Sequence, residues 1–88
     1  MKLKKGFVLR DLGGQSVVVA VGEATKTFNG IIKLNETSAF LWKKLEGDFT
    51  KEILVNCLLE EYDVEKDVAE KNVDYFVDTL VKNGIIEA

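Results

Sequence analysis

Apolar positions along this chain change their period near residue 35, from about two to about 3.6. Upstream, "GFVLRDL" (6–12) and "QSVVVAV" (15–21) are short apolar runs on either side of Gly13-Gly14. Two such runs joined by two glycines predict a β-hairpin. With Leu12 paired to Gln15, Leu9 falls opposite Val18 and Phe7 opposite Ala20, and these four share the expected core face. The second run is apolar at five consecutive positions, 17–21, so it is expected in the centre of the sheet. "GEATKTFN" (22–29) reads as a loop and "GIIKL" (30–34) as a third strand. Sequential strands are usually neighbours, which gives the order 1-2-3 and leaves the third strand at an edge. Its alternation puts Ile32 and Leu34 on one face, Ile31 and Lys33 on the other.

Downstream the pattern is helical. Asn35 is a suitable N-cap for a helix over 36–46, with Gly47 at C′ and Leu41, Trp42 and Leu45 as its apolar stripe. Thr50 caps a second helix to Glu61, and Phe49 with Leu54 are placed for a hydrophobic staple. Its expected buried face is Ile53, Leu54, Cys57 and Leu58. Asp63 is the expected cap of a third helix over 64–83, roughly 30 Å long. Ala69, Val73, Phe76 and Leu80 recur there at spacings of four, three and four, flanked by Val77 and Val81. Gly84 then suits C′, with Ile85 placed to touch Leu80 as a Schellman motif requires. The pattern predicts one α+β domain spanning residues 1–88, three strands followed by three helices (βββααα), without repeat or linker.

Composition narrows what such a domain can do. Hydrophobic residues make up 47% and charged residues 31%, a globular balance. With no histidine, the commonest general base and metal ligand is missing. Cys57 is alone, so neither a zinc site nor a CxxC redox pair can form, and it reads as inert core. There is no phosphate-binding glycine motif. These features predict a non-enzyme with no cofactor and no metal. A net charge of −3 argues against general binding to nucleic acid or anionic membrane. Arg10 and Asp11 interrupt what would otherwise imitate a signal peptide, so a cytoplasmic protein is expected. Lys2, Lys4 and Lys5 read as a solvated tail, and the Asp74/Asp78 pair as a solvated helix face.

The third strand raises the functional question. Edge strands are normally blunted by proline, inward charge or a covering loop, and this one has only Lys33. An open edge beside an apolar helix would form a groove for an extended peptide, with backbone bonds supplying affinity and alternate side chains specificity.

The run "GIIKLNETSAFLWKKLEG", then "FTKEILVNCLLEEY", then a long helix ending "LVKNGII", resembles the PqqD family. That family comprises coenzyme PQQ synthesis protein D and related recognition elements of ribosomal peptide modification. The resemblance runs from Gly6 to Ile86. Its most specific part is the strand-to-helix run "LNETSAFLW", carried by Leu34, Asn35, Thr37, Ser38, Ala39, Leu41 and Trp42. Glu46-Gly47 and Asn83-Gly84-Ile85 support it. The resemblance implies a winged-helix-like domain that binds a precursor's leader peptide as an added strand on strand three, in the cleft beside helix three. It further implies presentation of the precursor to a modifying enzyme, in this family often a radical S-adenosylmethionine enzyme. Mapped by position, the strand-side contacts would be Gly30, Ile31, Ile32 and Lys33. The helix-side candidates are Val73, Val77, Asp78, Leu80 and Val81, and the sequence leaves open which of these face the groove and which the core.

Two rival readings differ in class. A DNA-binding winged helix needs a basic recognition helix. Here 64–83 carries Glu65, Asp67, Glu70, Asp74 and Asp78 against Lys66, Lys71 and Lys82, the wrong sign for phosphates. A self-associating domain would pair the free edge with a second copy. The expectation is a monomer or weak homodimer.

Overall fold

The computed structural model describes residues 1–28 and 30–87. Gly13 and Gly14 turn the chain with φ of +62° and +87°, the two positive values that a type I′ hairpin demands. The Asp11 carboxylate accepts the Gly14 N–H at 2.8 Å and braces that turn. On either side lie β2 (Phe7–Leu12) and β3 (Gln15–Ala20), preceded by a two-residue β1 (Lys2–Leu3). β2 and β3 pair with Leu12 opposite Gln15, Leu9 opposite Val18 and Phe7 opposite Ala20, the expected register. A short 3₁₀ helix, Gly22–Lys26, lies within the predicted loop. β4 (Ile31–Leu34) then pairs antiparallel with β3, Ile32 opposite Val18 and Leu34 opposite Ser16. The sheet order is β2-β3-β4, so β4 is an edge. Three helices follow, α1 (Glu36–Trp42), α2 (Lys51–Glu61) and α3 (Lys66–Lys82), and then β5 (Ile86–Glu87). This is the α+β fold of a three-stranded antiparallel sheet followed by three helices.

One face of the sheet meets the helices. Val18 and Leu34 are buried in the same cluster as Leu41, Phe76 and Leu80, with Phe7, Leu9 and Ile32 packed against it. Trp42 is buried there too, as core. Burial of this apolar surface is the main favourable term, at about 25 cal/mol per Å².

α1 and α3 depart slightly from their predicted bounds, and α2 keeps them. The Asn35 side chain caps α1 by accepting the Ser38 N–H at 2.8 Å. α1 stops at Trp42 rather than Glu46, because the chain tightens there into i→i−3 turns (Lys44 N–H to Leu41 C=O, Leu45 N–H to Trp42 C=O). Thr50 caps α2 through the Ile53 N–H at 3.2 Å, and the staple residues Phe49 and Leu54 are both buried. The buried face of α2 is Leu54, Val55 and Leu58; Ile53 is exposed and Cys57 half-buried. Packing against α3 rotates the stripe toward Val55. α3 begins at Lys66, and Glu65 rather than Asp63 holds the cap position. Tyr62 packs edge-on against Phe40, with ring centroids 5.5 Å apart, and the connection from Tyr62 to Glu65 stays non-helical.

α3 ends as expected. Gly84 adopts φ +72°, the Ile85 N–H reaches the Leu80 carbonyl at 2.9 Å, and the Gly84 N–H reaches Val81 at 3.0 Å. Leu80 and Ile85 are both fully buried, completing the Schellman motif.

The chain ends differ from expectation. β1 and β5 pair antiparallel, Lys2 opposite Glu87 and Leu3 opposite Ile86, and the Lys4 N–H donates to Ile85. Met1 C=O accepts from Phe49 N–H, and its ammonium lies 2.7 Å from the Asp48 carboxylate, which it holds below the usual carboxylate range. The lysines' side chains are solvated, but at Lys2 and Lys4 the backbone is part of a clasp rather than a tail. Ile85 and Ile86 are buried immediately after the helix, and their backbone polar groups need a partner strand.

Phe76→Ala should cost about 3–5 kcal/mol in urea unfolding, since it empties a fully buried aromatic site. Gly84→Ala should cost about 1 kcal/mol, because only the backbone conformation opposes it and no atom lies near the added Cβ.

Candidate functional site

The hairpin turn decides which backbone groups β4 presents. In a two-residue hairpin the residues flanking the turn, here Leu12 and Gln15, form a hydrogen-bonded pair. Alternation then makes Val17 and Val19 bond to β2, and Ser16 and Val18 bond to β4. Their partners Leu34 and Ile32 therefore spend their N–H and C=O on β3. Ile31 and Lys33 aim theirs outward. Among the described residues, no turn, loop or cap hydrogen bond reaches either of them. The edge is open at two residues, with two donors and two acceptors.

The wall beside this edge comes from α1 and α3. Lys33, Leu34, Asn35, Ser38, Tyr75, Phe76 and Thr79 line a depression of about 180 Å³. Leu34, Ser38 and Phe76 are buried and form its floor, whereas the Tyr75 ring is 67% exposed. The Thr79 hydroxyl is tied to the Tyr75 carbonyl at 2.8 Å. Tyr75 and Thr79 share a helical stripe with Val68 and Asn72, each one position before a core residue of α3. Val68 is exposed and Asn72 half-buried.

The helix-side residues expected from sequence sit elsewhere. Val73, Val77 and Leu80 are buried among the core side chains and offer no surface to a ligand. Asp78 and Val81 are exposed but lie on other flanks of α3, away from the stripe through Tyr75 and Thr79. On the strand side, Gly30, Ile31 and Lys33 are exposed and Ile32 is half-buried facing the core. The apolar stripe marks the centre of the buried face. The groove lies one helical step around from it, where Tyr75 and Val68 are the sequence's only apolar signal.

A larger depression, about 530 Å³, lies at the hairpin end between Gln15, Glu36, Phe40, Lys43 and Tyr62. Burial, then Glu36 and Glu61, push the Tyr62 phenol above its usual value. The Gln15 amide already donates to the Ser16 and Leu34 carbonyls there. This hollow therefore lacks the free ladder edge that distinguishes the β4 groove.

Comparison with known proteins agrees with this fold. The family described as Coenzyme PQQ synthesis protein D (PqqD) matches residues 7–86. The chain belongs to the PqqD family. No curated protein matches it by sequence. Among solved structures, it is similar to TbiB1 in complex with the TbiA(beta) leader peptide, at 19% identity and TM-score 0.76, over 100% of this chain and 96% of that one. It is also similar to a lasso peptide synthetase B1 complexed with the leader peptide, at 22% identity and TM-score 0.73, over 99% of this chain and 96% of that one. At these identities the two likenesses establish the shared fold.

Hydrogen exchange reports the edge directly. In the free protein the Ile31 and Lys33 amides should exchange at least about tenfold faster than those of Ile32 and Leu34. Uniform protection along β4 would mean the edge is already paired.

Proposed function

We propose that this domain is a non-catalytic module that captures the leader of a ribosomally made precursor peptide and presents it to a modifying enzyme. The leader adds as a strand to β4, in the groove beside α3. The observation that carries this reading is the outward pair of Ile31 and Lys33, placed next to the Tyr75–Thr79 wall. PqqD family membership supports it, as do two structural neighbours solved with leader peptides. The contacts we assign are Gly30, Ile31, Ile32 and Lys33 on the strand, and Tyr75 and Thr79 with Phe76 beneath them on the helix.

The chemistry is binding alone. Strand addition satisfies backbone groups that water otherwise hydrates, so each bond contributes only about 1 kcal/mol net. A few such bonds and one or two seated side chains give exchangeable affinity. That suits a carrier which raises the precursor's effective concentration at a partner's active site and then releases it. With no histidine in the chain, the reaction itself falls to that partner. A cytoplasmic location follows from meeting the precursor where it is made. Among the described residues, no helix is long and apolar enough to cross a membrane.

The test is capture from the native host with tagged protein, followed by mass spectrometry for short peptides and co-eluting enzymes. The wild type should enrich one precursor. Ile31→Pro should lose it while melting near the wild type, because that nitrogen donates nothing to the sheet; Ile32→Pro should unfold the edge, because its N–H is a ladder donor. Tyr75→Ala should weaken the captured peptide about tenfold with little change in stability. A precursor retained by Ile31→Pro would contradict strand addition.

A further inference from the structure

The outer face of the sheet carries the same alternation as its edge. By register, Arg10, Val17 and Lys33 form one cross-strand row, and Val8, Val19 and Ile31 form the next. Val17 is 1% exposed and lies in register between its two cationic neighbours. Ile31, at the end of the apolar row, is 53% exposed. No outer-face position of β2, β3 or β4 is acidic. Among the described residues, neither Arg10 nor Lys33 has an ion-pair partner. A chain of net charge −3 thus keeps an uncompensated cationic row that ends at the open edge.

We propose that this row selects the leader: the domain takes peptides with an acidic residue opposite Lys33 and an apolar one opposite Ile31. The proposal rests on capture of the leader as an antiparallel strand, the more stable pairing. Residues directly opposite in a sheet lie on the same face with Cβ atoms about 5 Å apart. The peptide residue bonded to Lys33 therefore places its side chain on the outer face, extending the row Arg10–Val17–Lys33. A carboxylate there meets Lys33 directly, whereas Arg10, three strand spacings or about 14 Å away, adds only a screened attraction. Two residues further along the peptide, the side chain lies beside Ile31 and extends the apolar row. The residue preceding the acid points inward, opposite Leu34, toward the depression floored by Leu34, Ser38 and Phe76. Read from N to C, the recognised pattern is apolar, acidic, any, apolar. A second copy of this chain adding its own β4 does not satisfy it: an antiparallel β4–β4 pair would bring the two Lys33 rows together without a carboxylate.

The experiment uses randomised decapeptides displayed on phage, selected on the wild type, on Lys33→Glu and on Lys33→Gln. Lys33 is solvated, so all three should melt alike. The wild type should enrich the stated pattern. Lys33→Glu should keep both apolar positions and exchange the acid for Lys or Arg, and Lys33→Gln should lose the charge preference. With soluble peptides, replacing the selected acid by Lys should weaken wild-type binding about fivefold and strengthen binding to Lys33→Glu. Enriched peptides whose acid is absent, or unchanged on Lys33→Glu, would overturn the charge selection while leaving strand capture standing. Failure of all three proteins to enrich any peptide would overturn strand capture itself, and this inference with it.

Discussion

The two-residue turn at Gly13-Gly14 controls more of this molecule than its own hairpin. Because the turn makes Leu12 and Gln15 a bonded pair, every N–H and C=O on β3 is committed to one side or the other, and β4 inherits the opposite phase. A one-residue slip would turn Val18 and Leu34 toward water and would also reverse which amides line the open edge. Core burial and edge chemistry thus depend on one register. The buried Val18 holds that register from within, and Asp11 braces it at the turn.

The helices serve the edge by standing beside it at a fixed height. α3 is held along its length by Ala69, Val73, Phe76 and Leu80, and at its end by the Schellman turn and the β1–β5 clasp. With that buried stripe immobile, the neighbouring stripe through Tyr75 and Thr79 has a defined distance from β4. A binding surface assembled from rigid elements loses little entropy when a flexible peptide docks, so the ordering cost falls on the peptide. This division suits a module that holds a peptide.

Most of the architecture was legible in the sequence because its signals are local. Gly-Gly between apolar runs, Asn35 and Thr50 before helices, and Gly84 after one each act within a few residues. The open edge was legible too, from a third strand without proline. Three features were not. The β1–β5 clasp joins opposite ends of the chain, and two-residue strands carry no period. The late start of α3 follows from a packed connection around Tyr62 that Asp63's capping propensity does not register. The groove wall was missed because the sequence marks the most apolar stripe of α3, and that stripe is the core. The face we propose for binding is the half-polar stripe next to it, recognisable only once the position of β4 is known.

The most direct test of strand capture is amide hydrogen exchange of the domain saturated with its captured leader peptide, compared with the free protein. The account predicts that new protection within the sheet falls on Ile31 and Lys33, with Ile32 and Leu34 already protected and little changed. Protection gained instead around Gln15, Phe40 and Tyr62, or on β2, with Ile31 and Lys33 still exchanging freely, would contradict it.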